Sequence, residues 1–338
     1  MRVAVTGAGG RLGRALMAAL RDAPFTGPLG PLAWSRPMYD IDDPEAAARC
    51  VRQTAPEVVV HAAAWTDVDG CAREPERAMR RNAMAVAELA EACVRAGADL
   101  VLVSTNEVFD GRRTDGRGYA AGDRPRPNNS YGASKLAGET TAQAAFLRHG
   151  GLIDGPARVS KRAANGARSG ATSAPPASVP GVPQLAIVRT AWLFGPPGND
   201  FPSRIVAAAD RARATGVPLR VVGDEIGSPT FAPDLAEGIV ELLAAGSIAG
   251  AHHVVNAGSV SRAGWARHVL AATGVEVAIV EVPLATWTRP SAPPAWAVLA
   301  PTLPPSGEFL RPWQAAFADY LPVLLRERAR GGSPVSRP

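Results

Sequence analysis

The chain has 338 residues, with 36 Lys+Arg against 31 Asp+Glu, 46% apolar and 20% charged side chains, and a formal charge of +5. That balance describes a folded globular protein of about two domains, or one large α/β unit with an appended lobe. Basic residues are scattered among acidic ones, which argues against nucleic-acid binding, and the apolar runs Val58–Val60 and Ala62–Trp65 fall far short of the roughly 18 residues of a membrane span.

Arg2–Thr6 reads as a strand that runs straight into glycines, leaving no room for a signal-peptide apolar region. Leu12, Ala15, Leu16 and Leu20 follow at helical spacing. The alternation continues: strand Leu32–Trp34, helix Pro44–Gln53, strand Glu57–His61, helix Glu76–Ala96, strand Asp99–Ser104, helix Tyr131–Arg148 and strand Gln184–Arg189. Strands alternating with helices imply an α/β fold built on a doubly wound, Rossmann-type parallel sheet covered on both faces. Beyond it come helices Ser203–Thr215, Ala232–Ala245, Ala263–Ala272 and Pro312–Arg328, with strands Leu219–Val222, His253–Asn256 and Val275–Val282.

The expected organisation is a dinucleotide-binding domain over 1–149, then a Gly/Ala/Ser/Pro-rich insertion over 150–183 that reads as disordered. The remaining Rossmann strands, interleaved with a smaller substrate lobe, take 184–330, and 331–338 reads as a flexible tail. Cys50, Cys71 and Cys93 are odd in number and show no CxxC pairing, so neither a disulfide framework nor a metal site is expected, and a cytoplasmic setting is the simplest. His252 and His253 enter a strand and read as packed or exposed residues rather than ligands.

Two motifs carry chemistry. Gly7, Gly10 and Gly13 sit between the first strand and the first helix, where residues without Cβ let the backbone and a helix N-terminus approach a pyrophosphate. The second strand ends in Trp34-Ser35-Arg36 with no carboxylate, so Arg36 is the candidate for a 2′-phosphate and NADPH is favoured over NADH. Tyr131 and Lys135 lie four residues apart, one turn on a helix face, where an ammonium would favour ionisation of the phenol. Lys135 and Lys161 are the only lysines in an arginine-rich chain, and a compact ammonium does what a planar guanidinium cannot. Thr105 would set a hydroxyl against a reacting carbonyl oxygen.

Taken together, several stretches resemble the extended short-chain dehydrogenase/reductases, and within them the dTDP-4-dehydrorhamnose reductases. They are Gly7/Gly10/Gly13, Tyr39-Asp40-Ile41-Asp42, His61 to Asp69, Asn82-Ala83, Ser104-Thr105 with Val108 to Gly111, Tyr131 to Glu139, Arg189 to Trp192, Asn199-x-Phe201, Gly227-x-Pro229-Thr230 and Leu310 to Trp313. The resemblance implies hydride transfer from NADPH to the C4 ketone of a nucleotide-linked 6-deoxy sugar, with a homodimer among the assemblies it allows. It places Gly10, Arg11 and Leu12 on the pyrophosphate, Asp40 and Ile41 beside the adenine, and Ala62, Ala63 and Ala64 along the cofactor. Tyr131 becomes the proton donor and Lys135 the ligand of the nicotinamide ribose, while Thr105, Asn106 and Trp192 touch the sugar.

The chain departs from the family's Thr-Asp-Tyr with Thr105-Asn106-Glu107, and from its Asp-Gln with Asp224-Glu225. Those departures keep open a ketoreductase or epimerase acting on another nucleotide sugar. A non-catalytic subunit resembling the regulatory beta subunit of methionine adenosyltransferase is the rival from another class, which an intact Thr105, Tyr131 and Lys135 argue against.

Overall fold

A computed structural model describes residues 1–154 and 181–330. The first half runs β1 (Val3–Thr6), α1 (Arg11–Asp22), β2 (Leu32–Trp34), α2 (Ala46–Thr54), β3 (Val58–His61), α3 (Val68–Arg73), α4 (Pro75–Met79), a π-helical turn at Arg80–Met84, α5 (Ala85–Arg95), β4 (Asp99–Thr105) and α6 (Ser130–Arg148). It continues with β5 (Leu185–Thr190), β6 (Leu193–Phe194), α7 (Phe201–Thr215), β7 (Leu219–Val222), β8 (Ile226–Gly227), β9 (Thr230–Phe231) and α8 (Ala232–Ala244). Last come β10 (Gly250–His253), β11 (Val260–Ser261), α9 (Arg262–Ala272), β12 (Ile279–Val282), β13 (Trp296–Ala297) and α10 (Trp313–Ala329).

The main sheet has the order β10-β5-β4-β3-β1-β2, and every neighbouring pair is parallel. Its central strands are apolar along most of their length because both faces are covered, with polar residues gathered at their C-terminal ends. Val58 and Val60 of β3 face α1 and α8, packing with Leu16, Leu20, Leu235 and Ile239. Val59 faces the other way, toward α2, α5 and α6, with Cys50, Leu89, Cys93 and Phe146. The strand order reverses at β1, so a crevice opens beyond the ends of β1 and β3, the place where open α/β sheets bind ligands.

The second lobe has its own core, in which Phe194, Ile205, Trp265, Val269, Trp313, Phe317 and Tyr320 join α7, α9 and α10. Small sheets edge it: β7 with β12, β6 with β9, and β8 between β11 and β13.

Several expectations are corrected. The long helix over 76–96 is broken by the π-helical turn, because Asn82 turns inward: its amide donates to the Trp65 carbonyl at 3.0 Å and the Ser134 hydroxyl at 3.1 Å, and its carbonyl oxygen accepts from Trp65 N–H at 2.9 Å. The strand expected at His253–Asn256 lies at Gly250–His253, since Asn256 is drawn into a network with Phe231, Asp234 and the Arg311 carbonyl. Helix α3 and the two-residue strands β6, β8, β9, β11 and β13 are too short for periodicity to reveal. Residues 155–180 of the expected insertion and 331–338 of the expected tail lie outside the described residues. Both flanks of that insertion belong to the fold, because Leu152 N–H donates to the Pro183 carbonyl at 2.9 Å and Leu185 N–H to the Leu152 carbonyl at 2.8 Å.

Candidate active site

Gly7 adopts a left-handed φ of 65° directly after β1, and its N–H donates to the Trp34 carbonyl at 3.0 Å. A Cβ on Gly13 would stand 2.1 Å from the Gly7 oxygen, and one on Gly7 would stand 2.9 Å from Ala63 N. Only bare backbone lets α1 start this close to the sheet. Gly10 caps the helix without a side-chain hydrogen bond, so the first N–H groups of α1 and its positive dipole end are left for an anion. The residues present therefore fit the pyrophosphate of a dinucleotide. Behind the turn the Thr6 hydroxyl accepts from Ala63 N–H at 3.1 Å and is bonded to His61 Nδ1 at 2.9 Å. Burial, helped by the Lys135 charge, pushes the His61 imidazole down to about 3 and keeps it neutral.

At the far side of the crevice Thr105 ends β4, and the first two turns of α6 bring Tyr131 and Lys135 to it. Asn129 caps that helix, its side-chain oxygen accepting from Gly132 N–H at 2.8 Å. Gly132 is required there because a Cβ would lie 2.0 Å from the Glu107 carbonyl oxygen. Thr105, Tyr131 and Lys135 are all buried. The Lys135 ammonium donates to the Val103 carbonyl at 2.8 Å, and burial pushes it down to about 8 against the pull of Glu139.

The Tyr131 phenol is held above its ordinary range by burial and by the nearby Glu107 carboxylate, while its hydrogen bond with Thr105 acts the other way. The spacing of the motif suggested an acidified phenol. The fold instead keeps Tyr131 protonated, because desolvation of a buried phenolate outweighs the help available to it. Below these groups lies a buried ion pair: Arg189 donates to both oxygens of Glu139, at 3.0 and 2.7 Å, and Ser104 donates to Glu139 at 2.5 Å.

Both ends open into one cleft of about 1190 Å³. Of the residues expected from the sequence, Gly7, Gly10, Arg11, Leu12, Gly13, Ala62, Ala64, Thr105, Asn106, Tyr131, Lys135 and Trp192 line it. Arg36, Asp40, Ile41 and Ala63 do not. Arg36 is exposed at the end of β2, Asp40 accepts from Asp42 N–H at 3.1 Å, Ile41 packs against the core, and Ala63 lies behind Gly7. Arg11 reaches across the cleft, its guanidinium donating to the carbonyls of Gly195, Pro197 and Gly198. That side chain therefore ties the glycine turn to the second lobe. Asn106 is likewise engaged by the protein: its amide donates to the Ala297 carbonyl at 3.4 Å and its oxygen accepts from the Thr105 hydroxyl at 3.3 Å.

Sequence reasoning named Trp192 but missed the cations and the second tryptophan that surround it in the second lobe. Arg262 lies 3.5 Å above the Trp192 ring and donates to the buried Glu225 at 2.9 and 3.0 Å. Trp192, at a left-handed φ of 42°, stacks on Trp265 and sits where a Cβ on Gly227 would come within 2.4 Å of its ring. Arg289 pairs with Asp69 at 3.0 Å, and Arg204 lines the same wall. In a chain this rich in arginine no spacing signal separates these from surface cations. Among the described residues no three His, Cys, Asp or Glu side chains gather as a metal site.

The sequence model of the family described as "RmlD substrate binding domain" matches residues 1–150 and 177–325. The chain is 35% identical over 331 residues to a dTDP-4-dehydrorhamnose reductase of Mycobacterium tuberculosis (strain H37Rv), covering 95% of this chain and 92% of that one. Among solved structures it is similar to a dTDP-4-dehydrorhamnose reductase from Clostridium acetobutylicum (TM-score 0.78, 26% identity, 96% and 99% covered). It is also similar to one from Bacillus anthracis in complex with NADP (TM-score 0.75, 27% identity, 95% and 99% covered).

Proposed function

The chain belongs to the RmlD substrate-binding family, with dTDP-4-dehydrorhamnose reductases as its relatives, and on that premise we propose that it reduces the C4 ketone of dTDP-4-dehydro-L-rhamnose with NADPH. The observation that carries the reading is the juxtaposition of a buried, protonated Tyr131 with Thr105 in the cleft whose other end is the glycine turn. When bound, NADPH supplies the hydride. The chain's own groups do the rest.

The bare turn and α1 N-terminus hold the pyrophosphate, and Arg36, exposed after β2 and without an ion pair among the described residues, is placed to meet a 2′-phosphate. Lys135 offers ammonium protons to the nicotinamide ribose. Tyr131 gives its proton to the C4 oxygen as hydride arrives at C4, so the carbonyl becomes a secondary alcohol and the phenolate is reprotonated from solvent. The phenol is protonated at neutral pH, as the donor in this direction must be. The Thr105 hydroxyl bonds the same oxygen and fixes its direction. Arg204, Arg262 and Arg289 face the diphosphate of the nucleotide sugar, which orients the ketone before reaction.

The test is NADPH oxidation by the purified protein on dTDP-4-dehydro-L-rhamnose. Tyr131→Phe is expected to cut turnover at least about 100-fold while leaving NADPH binding nearly unchanged, and Arg36→Ala to weaken NADPH more than NADH. Undiminished turnover in Tyr131→Phe removes the proposal. Asn106 lines the cleft with its amide on the Ala297 carbonyl and its oxygen on the Thr105 hydroxyl, a bond that Thr105 gives up when it donates to the C4 oxygen.

A further inference from the structure

Of the two departures beside Thr105, Asn106 is bonded to protein at both ends, and the altered chemistry facing the cleft falls on Glu107. Glu107 sits in the 3₁₀ turn Asn106–Val108 that follows β4. One of its carboxylate oxygens accepts from the Asn129 amide at 2.7 Å. Asn129 also caps α6 and donates to the Ala292 carbonyl at 3.2 Å, so the carboxylate is fixed from behind by the element that carries Tyr131. The second oxygen has no hydrogen-bond donor among the described residues, and the residue lines the cleft.

We propose that Glu107 is a specificity-determining residue: its free carboxylate oxygen accepts a hydrogen bond from the hydroxyl at C3 of the sugar, next to the reacting ketone. The inference rests on the reductase reading above. The chemistry follows from position. Thr105 and Tyr131 define where the C4 oxygen lies, and Glu107 stands two residues from the first and packs on α6 at Gly132 and Asn129, next to the second. Of the carbons flanking C4, C3 carries a hydroxyl. A site built to bond a hydroxyl discriminates against an analogue lacking it, because the half-buried acceptor then loses that partner.

The surroundings give the interaction a pH signature. Burial pushes the Glu107 carboxyl up to about 7; Asn129 opposes this, Glu225 on the facing lobe adds to it, and Arg289 and Arg262 pull down. On its other flank stand Tyr131 of α6 and the buried Cys71 thiol of α3. Acceptance from a hydroxyl strengthens as the carboxyl ionises, so kcat/KM for the hydroxylated sugar rises with pH through a limb near 7.

The experiment compares wild type, Glu107→Gln and Glu107→Ala on two probes, a dTDP-linked 4-dehydro-6-deoxy sugar bearing the C3 hydroxyl and its 3-deoxy counterpart. NADPH binding serves as the control for folding. The expected result is a fall of about 30-fold in kcat/KM on the hydroxylated probe in Glu107→Ala, a much smaller change on the 3-deoxy probe, and loss of the limb near 7 in Glu107→Gln. An unchanged ratio between probes in both variants, with NADPH binding intact, overturns the role of Glu107 alone. A wild type that oxidises NADPH with neither probe overturns the reductase reading, and this inference falls with it.

Discussion

Lys135, proposed to hold the nicotinamide ribose, works against the fold that contains it. Its ammonium is buried with one hydrogen bond to the Val103 carbonyl, and burial has brought it down to about 8. A folded value below the ordinary one means that the unfolded chain holds the proton more tightly, so stability rises as pH climbs through 8 toward the ordinary lysine range. At neutral pH the folded state bears the desolvation cost in full. Lys135→Met is therefore expected to stabilise the protein by about 1–2 kcal/mol, after allowance for the lost bond to Val103, while abolishing turnover. Thermal unfolding beside the NADPH oxidation assay checks both halves, and a lowered midpoint would show that the ammonium stabilises the fold after all. This residue was legible in the sequence because it breaks the chain's preference for arginine. Arg262 and Arg289 share that preference, and so nothing marked them.

At the scale of elements, the site depends on how closely α6 approaches the end of β4. Gly132 and Gly138 make that approach, the first against the Glu107 carbonyl and the second against the Asn82 carbonyl, where an added Cβ would come within 2.0 and 2.3 Å. Gly132→Ala is expected to push the first turn of α6 outward, destabilising the protein by about 2–3 kcal/mol and cutting turnover well beyond what that loss explains. Gly27→Ala, where a Cβ meets nothing within 4 Å, is the comparison and is expected to leave turnover unchanged. Equal behaviour of the two variants in melting and turnover would contradict this account. Helix α6 and strand β4 were readable from periodicity and from Tyr131 to Lys135. Their spacing was not, because a contact between backbone atoms of two elements leaves no pattern in either one. The π-helical turn was hidden for the same reason, since its cause is the reach of Asn82 to Trp65 and Ser134.

For the whole molecule, buried titratable groups oppose one another on the acid side. His61 and His253 are pushed by burial down to about 3, so the stability they contribute is present above the ordinary histidine range and is lost as pH falls from about 6.5 toward 3. Glu107 and Asp99 are pushed by burial up to about 7 and about 6, so the stability they contribute is present at acid pH and is lost as pH rises through those values. Between about pH 6 and 4.5 the two pairs offset each other. Below that, paired carboxylates such as Glu91 and Asp115, each held near about 2 by arginine partners, begin to protonate in the unfolded chain first. Thermal midpoints measured across pH are expected to stay nearly level from 6 to 4.5 and to fall steeply below 4. A steady decline as pH falls through the upper window would mean that Glu107 and Asp99 are not held protonated, and a steady rise would mean that the histidines are not buried neutral.

The alternation of β1 to β5 with their helices, the glycine turn and the spacing of Tyr131 and Lys135 were determined by the sequence alone, because each is written in local spacing: period two or 3.6, three bare residues, one helical turn. Tertiary structure decided the rest. It joined the flanks of the expected insertion through Leu152 and Pro183, engaged the Arg11 side chain with carbonyls of the facing lobe, and set the Glu107 carboxylate against Asn129 at the cleft. It also set the protonation of Tyr131. These outcomes depend on distances across the cleft and on exclusion of water, and both arise only when segments far apart in the chain are packed together.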